Sequence, residues 1–332
     1  AWKYRDRSYR YHLLDTGHLV ENLVQALKIL RLPYELCYGF DDESVNQLLG
    51  LDETKEVCLA AVHVLGYYIM PESKLGEIPE LPGEMKRASQ VAAKEMDYPA
   101  VREFHQASGS PIPGGGPERE MRHELGVVLE TWTRVPIPSN WPEVMNYSEA
   151  LYKRRSRRNF VKEPLSEYHL GALVDSICVE DLADSAGGAE YHRSLAFGIL
   201  ANNVEGTEPG FYLLDAKEGS LGLVMSGDFT ESMAHICLDQ QWLTHAATHF
   251  LFLTNLDLMD QTWGARGYRY AMLAAGRMGQ RLYMAATAMG LGCCGIGALY
   301  DGEAAELLGL NEASKLLYLV GVGPVKSKIP AT

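Results

Sequence analysis

The chain has 332 residues, 47% of them hydrophobic, enough to bury a sizeable core and to form about two domains. Its formal net charge of -13 argues against a nucleic-acid partner, which selects a basic footprint, and no apolar run approaches the roughly 20 residues that cross a bilayer. Six cysteines without a CxxC or a disulfide-framework spacing point to a reducing compartment, by default the cytoplasm.

The opening AWKYRDRSYR lacks the character of a signal peptide and an initiating Met, and reads as the start of a fragment or processed chain. A helix is expected over about 11–30, then a turn through Gly39, Phe40, Asp41 and Asp42, a short helix to Leu49, and a strand in the apolar run LAAVHVLG. Residues 67–146 differ in kind. A helical patch of mixed charge near 84–105 precedes SGSPIPGGGP, and the stretch reads as a connector with no chemistry of its own.

A second unit begins at 147. Ser148 or Ser156 is placed to cap a helix, and Leu165, His169, Leu170 and Leu173 follow Pro164 at helical spacing. Strands are expected over 195–200, 210–214, 250–253 and 316–322. Helices and strands mix without a βαβ rhythm, which predicts an α+β sheet with helices on its faces.

The most informative stretch is 266–297, RGYRYAMLAAGRMGQRLYMAATAMGLGCCGIG. Met272, Ala275, Met278, Leu282, Ala285, Ala286 and Met289 recur at helical spacing, and the helix runs into Gly290, Gly292, Gly295 and Gly297. Three of these glycines satisfy GxGxxG. A dinucleotide fingerprint, however, needs a strand before it and a helix after it, and here the order is reversed.

The same stretch occurs twice. Sliding the chain along itself by 259 positions pairs Arg7 with Arg266, Tyr9, Arg10 and Tyr11 with Tyr268, Arg269 and Tyr270, and Gly17 with Gly276. The register continues to Asp42 with Asp301 and LLGL at 48–51 with LLGL at 307–310. This reads as a duplicated domain with an internal pseudo-two-fold.

Three sites could carry chemistry. Lys153, Arg154, Arg155, Arg157 and Arg158 surround Ser156 in an otherwise acidic chain, a set of donors suited to an anionic ligand, although a solvated basic turn has the same composition. The small-residue turn at 184–189 lets backbone amides approach a planar ring, or is a bland loop. Vicinal Cys293 and Cys294 read as small packing residues, and Trp242, Trp263 and Tyr283 as core aromatics or pocket walls. His245 and His249 lack a third ligand, so no metal is expected.

In their order, RRSxRxF at 154–160, the Ser-Ala-Gly-Gly turn, RGYRY with its long helix, GLGxCxIG and a terminal strand ending in VGVG resemble the FMN-dependent nitroreductase superfamily. Within it, YRYHLLDTGHLVENL at 9–23 and GFDDESVNQLLGLD at 39–52 are similar to the SagB-type azoline dehydrogenases of thiazole/oxazole-modified peptide biosynthesis. The resemblance covers 1–66 and 147–328. It implies a three-layer α-β-α sandwich, duplicated as an internal pseudo-dimer: a first copy, incomplete, at 1–66, a connector at 67–146 and a complete copy at 147–332.

The resemblance also implies roles. Arg154, Arg155, Ser156 and Arg158 would bind the FMN phosphate and ribityl chain, joined by Lys326 or Lys328. Ser185, Ala186, Gly187 and Gly188 would lie over the flavin of the other half. Backbone amides at Gly297 and Ala298, and at Tyr38 and Gly39 in the first copy, would approach flavin N5 and stabilise the charge of the reduced ring. Lys3 and Tyr4 would transfer protons on the substrate side; the second copy has Thr262 and Trp263 there, and Asp184 stands where the family usually has Pro.

The implied activity is hydride removal or addition at a small heterocycle or peptide-derived substrate. The alternatives are an NAD(P)H-dependent nitro- or quinone-reducing flavoprotein and a flavin-free scaffold or partner-binding module. A pseudo-dimer or homo-oligomer and a separate N-terminal fragment completing the first domain are the partners implied.

Overall fold

The computed structural model describes residues 3–53, 55–66, 96–112, 115–129, 131–178 and 191–326. The first half contributes α1 (Ser8–Ile29), β1 (Tyr34–Cys37), α2 (Asp42–Leu49), β2 (Ala61–Val64), α3 (Pro99–Ala107) and β3 (Trp132–Arg134). Next come α4 (Tyr147–Lys153), α5 (Glu167–Cys178), β4 (Ala196–Ala201), β5 (Gly210–Asp215), β6 (Ser220–Ser226) and α6 (Thr230–Ile236). The chain finishes with β7 (Thr248–Asn255), α7 (Leu256–Trp263), α8 (Arg266–Ala288), β8 (Gly292–Ile296), α9 (Asp301–Leu307) and β9 (Ser314–Gly323).

Short polar side chains start several of these helices. The Asp41 carboxylate accepts the Ser44 N–H at 2.9 Å to open α2, which closes at Gly50 with φ 65°. A capping box between Asn146 and Glu149 opens α4; the cap is therefore Asn146, with Ser148 inside the first turn and Ser156 beyond the helix.

Among the described residues, seven strands form one sheet in the order β3-β6-β5-β4-β7-β9-β8, every pairing antiparallel, and β1 pairs with β2 apart from it. Every residue of β7, THFLFLTN, is buried, as in a strand covered on both faces. On β9, Tyr318 meets Gly279 of α8, whereas Gly321, of opposite parity, meets Leu243 in the 3-10 helix Gln241–His245. Helical layers thus lie on both sides of an antiparallel sheet, the α+β sandwich expected from the sequence.

The helices α1 and α8 pack along their length and cross at Gly17 and Gly276. A Cβ on Gly276 would collide with the Leu14 carbonyl oxygen and stand 3.0 Å from the Gly17 Cα, so the backbones approach as closely as glycine allows. Leu13, Leu14, Val20, Val24 and Leu27 of α1 are buried around this crossing.

Two stretches differ from expectation. Residues read as a plain connector are built into the fold: β3 extends the sheet as an exposed edge strand, Met121–Glu124 packs on β4 and β7, and His105 of α3 is buried beside Asp42. The helical patch expected near 84–105 appears as α3 from Pro99, while 67–95 lie outside the described residues. In GLGCCGIG, Gly290 closes the helix with φ 75° and Gly292–Ile296 forms β8 rather than a turn, because the ladder with β9 outweighs the weak strand preference of glycine. No helix among the described residues is long and apolar enough to cross a membrane.

Candidate functional site

The residues after β8 are held in place from α1. Arg7 donates to the Leu299 carbonyl at 2.9 Å and pairs with Asp301 at 3.0 Å, and Arg10 reaches the same carboxylate at 2.9 Å. These bonds fix the chain directly after Gly297 and Ala298. A Cβ on Gly297 would stand 3.0 Å from the Tyr11 ring and 3.1 Å from Leu14, so the turn lies against α1. Tyr11 in turn contacts Tyr4, ring centroids 4.3 Å apart, and the Lys3 ammonium lies 5.1 Å from the Tyr4 centroid. Lys3, Tyr4 and Gly297, from opposite ends of the sequence, line one wall.

The basic segment docks along the other side of β8. Ser156 forms a parallel bridge with Cys293, and the Arg157 N–H donates to the Cys293 carbonyl at 2.9 Å. Farther on, Phe160 bridges Val325, and Asn159 and Lys326 exchange two hydrogen bonds of 3.2 Å. Lys326 is thereby brought beside the arginines. Arg154 lies over the Tyr283 ring at 5.4 Å and Arg158 over the Trp242 ring at 5.6 Å.

Tyr283 of α8 joins the two sides. Its hydroxyl accepts the Gly295 N–H at 2.7 Å and lies 3.0 Å from the Ser156 hydroxyl. Burial pushes this phenol well above its ordinary pKa, against the hydrogen bonds from Ser156 and Gly295, so it remains protonated. A phenol oxygen that accepts from Gly295 keeps a second lone pair and its own proton, so either hydroxyl can be the donor between Tyr283 and Ser156. His18 of α1 sits edge-on to Tyr283 at 5.7 Å, with Nδ1 2.9 Å from Gln280 and Nε2 3.1 Å from the Tyr318 hydroxyl. Burial lowers the His18 pKa and Arg154 adds to the effect, while Gln280 and Asp15 oppose it, so the ring is neutral near pH 7.

Among the described residues Arg154, Arg157, Arg158 and Lys326 form no ion pair with a carboxylate, although the chain carries a net charge of -13. Cations kept clear of carboxylates beside the exposed Ser156 suit a phosphate, and they fit the ribityl phosphate end of FMN. Arg155 differs: it donates to the carbonyls of Tyr152 and Arg154 at 3.0 and 2.7 Å and so folds back on its own segment.

Two groups of residues thus flank β8: Lys3, Tyr4 and Tyr11 beside Gly297, and Arg154, Ser156, Arg158 and Lys326 beside Cys293 and Tyr283. Tyr38 and Gly39 lie elsewhere, where the Tyr38 carbonyl accepts from Arg266 at 2.8 Å. Ser185, Ala186, Gly187, Gly188 and Lys328 lie outside the described residues. Sequence reasoning gave no role to His18 and left Tyr283 as a core aromatic or a pocket wall. Its partners come from separate segments, so no local pattern marks it. Arg7 and Arg10 were marked, by their pairing with Arg266 and Arg269.

An antiparallel sheet between helical layers, with a basic segment on its edge strand and two long helices crossing at glycines, defines an α+β fold. The sequence profile of the nitroreductase family matches residues 151–324, just over half of the chain, and the chain belongs to that family. It is 28% identical over 186 residues to a nitroreductase-family protein of Methanocaldococcus jannaschii, an alignment spanning 54% of this chain and 92% of that one. A crystal structure of a nitroreductase-family protein from Anabaena variabilis superposes with a TM-score of 0.76 at 26% identity, over 98% of this chain and 67% of that chain. The shared fold therefore extends well ahead of residue 151.

Proposed function

We propose that this protein is an FMN-dependent oxidoreductase whose working site is the cleft between α1 and β8. The observation that carries the reading is the Gly295–Tyr283–Ser156 chain of hydrogen bonds, which fixes the basic segment against β8 and leaves an exposed hydroxyl beside cations that pair with no carboxylate among the described residues. Arg154, Ser156, Arg158 and Lys326 would hold the phosphate, and the backbone at Gly297 and Ala298 would face the ring. Bound there, FMN supplies two-electron exchange with a substrate.

The remaining work belongs to the chain's own side chains. Lys3 and Tyr4 stand next to Tyr11 at the open end of the wall, with Tyr4 42% exposed, a position from which an ammonium or phenol can pass a proton to a substrate. The crossed contacts at positions 259 apart support reading the chain as an internal pseudo-dimer of two related halves. The similarity of 9–23 and 39–52 to SagB-type proteins extends the proposal to an azoline dehydrogenase acting on a peptide-derived heterocycle.

The test is a visible spectrum of the purified chain, mass identification of the released cofactor, and reduction assays. Flavin reduced by a thiazoline or oxazoline peptide supports the azoline reading, and reduction by NAD(P)H without such a peptide replaces it with a nitro- or quinone-reductase. A chain that takes up no FMN is not an FMN enzyme. Tyr4→Phe and Lys3→Ala should keep their flavin and lose about 10²-fold or more in turnover; unchanged turnover removes both from catalysis.

A further inference from the structure

The cleft has a counterpart in the other half. The offset that pairs Tyr11 with Tyr270 and Tyr4 with Trp263 also pairs Gly297 and Ala298 with Tyr38 and Gly39. A second flavin site would therefore be walled by Trp263, Tyr270, Tyr38 and Gly39. The two places are filled differently.

At the first, Tyr4 is 42% exposed and packs against the Tyr11 ring beside Gly297. At the second, its counterpart Trp263 is 1% exposed, with Tyr270 at 3% and Tyr38 at 2%. Tyr191 is wedged among them, its ring centroid 4.5 Å from Tyr270, 4.9 Å from Tyr38 and 6.4 Å from Trp263. A Cβ on Gly39 would stand 3.1 Å from the Tyr191 hydroxyl and 3.5 Å from the Tyr270 hydroxyl. The backbone that corresponds to Ala298 thus faces two phenols.

The space that remains beside Tyr38 and Tyr191 is a cavity of about 90 Å³, bordered on α8 by Ala274, Arg277, Met278 and Arg281. Pockets for drug-sized ligands start at roughly 300 Å³. The arginines are also committed, since Arg277 and Arg281 donate to the two oxygens of the buried Glu21 carboxylate at 2.9 and 2.8 Å. At the first place the position paired with Arg277 is His18, which is neutral and contacts Tyr283.

We propose that the chain holds one flavin, in the cleft of Lys3, Tyr4, Arg154, Ser156 and Gly297, and that the cluster of Tyr38, Tyr191, Trp263 and Tyr270 has closed the pseudo-equivalent second site. This rests on the flavin reading above. Opening the second place would return three large, nearly fully buried rings to water and strip Glu21 of its partners. The halves therefore divide the labour: one offers a proton-transfer pair and the other cations for the phosphate, with a single cofactor between them.

The experiment is a cofactor count on the whole chain. The protein is saturated with FMN, freed of excess, and its acid-released flavin measured against protein by amino-acid analysis. One FMN per chain is expected. The double variant Ser156→Ala with Arg158→Ala, checked for an unchanged circular-dichroism spectrum and melting temperature, should bind FMN roughly a hundredfold more weakly. Two FMN per chain overturns the closure while leaving the flavin reading intact. One FMN retained at full affinity by the double variant also overturns it, since the flavin must then sit elsewhere. No FMN on the unaltered chain overturns both.

Discussion

Arg266 and Asp42 are joined at 2.9 Å with 1% and 6% of their side chains exposed, whereas the positions 259 residues away, Arg7 and Asp301, are joined at 3.0 Å with 34% and 32% exposed. One exchange of partners has been built at two depths, so the same substitution should have two costs. Asp42→Asn leaves Arg266 and Arg269 buried without a carboxylate and should destabilise the chain by about 3–5 kcal/mol. Asp301→Asn should cost about 1 kcal/mol or less. Urea unfolding of both variants measures the difference, and equal losses would show that depth is not what sets the cost.

At the helix crossing, Gly276→Ala places a methyl against the Leu14 carbonyl and the Gly17 backbone. Two long helices must separate or tilt to admit it, at about 1–3 kcal/mol, the usual cost of overpacking. Gly302→Ala, where a Cβ meets nothing within 4 Å, is the matched control and should leave the melting temperature in place. A drop in the control as large as in Gly276→Ala would count against the close approach.

Tyr283→Phe removes the acceptor of the Gly295 N–H and the hydrogen-bond partner of the Ser156 hydroxyl while keeping the ring under Arg154. A loss of about 1–3 kcal/mol in stability is expected, and FMN should bind about tenfold more weakly because Ser156 is no longer held. Fluorescence titration of free FMN reads the second effect. Unchanged affinity would mean that Tyr283 does not position the anion-binding segment.

Acid should destabilise the fold before the carboxylates titrate. Burial pushes wholly buried His249 down to about 4 and, helped by Arg269, His105 to about 4 as well. Both are neutral when folded, and both take a proton near pH 6.5 when unfolded. Their folded pKa is depressed, so stability is complete above about pH 6.5 and falls as the pH drops toward 4; for His249 the gap is worth about 3 kcal/mol. The urea midpoint should decline steadily from pH 7 to 5, and a flat midpoint would contradict the burial of neutral histidine.

The α8 helix was legible because apolar side chains recur along 266–289, and the crossing was legible because Gly17 and Gly276 fall in one register with their flanking arginines and tyrosines. Most expected strands were short of the observed ones at their ends: Thr248, His249, Thr254 and Asn255 are polar, yet the ladder and the helical layers bury them. β8 was hidden by its glycines, and β3 by its place in a stretch of connector-like composition. Ser156 was marked by its cationic neighbours, but nothing local announces that its backbone pairs with Cys293 or that Tyr283 reaches it. Such bonds join segments more than a hundred residues apart, and periodicity reports only on neighbours.

β8 comes before β9 in the chain but lies outside it, and its ladder to the sheet is made through β9 alone among the described strands. The anion-binding segment leans in turn on Cys293 of β8 and on residues 324–326 just after β9. During synthesis, therefore, a ribosome that has already released Lys3, Tyr4 and the arginines of 154–158 has yet to release the strand through which β8 joins the sheet. The support of the basic segment is thus a late product of translation relative to the segment itself, set by the emergence of β9.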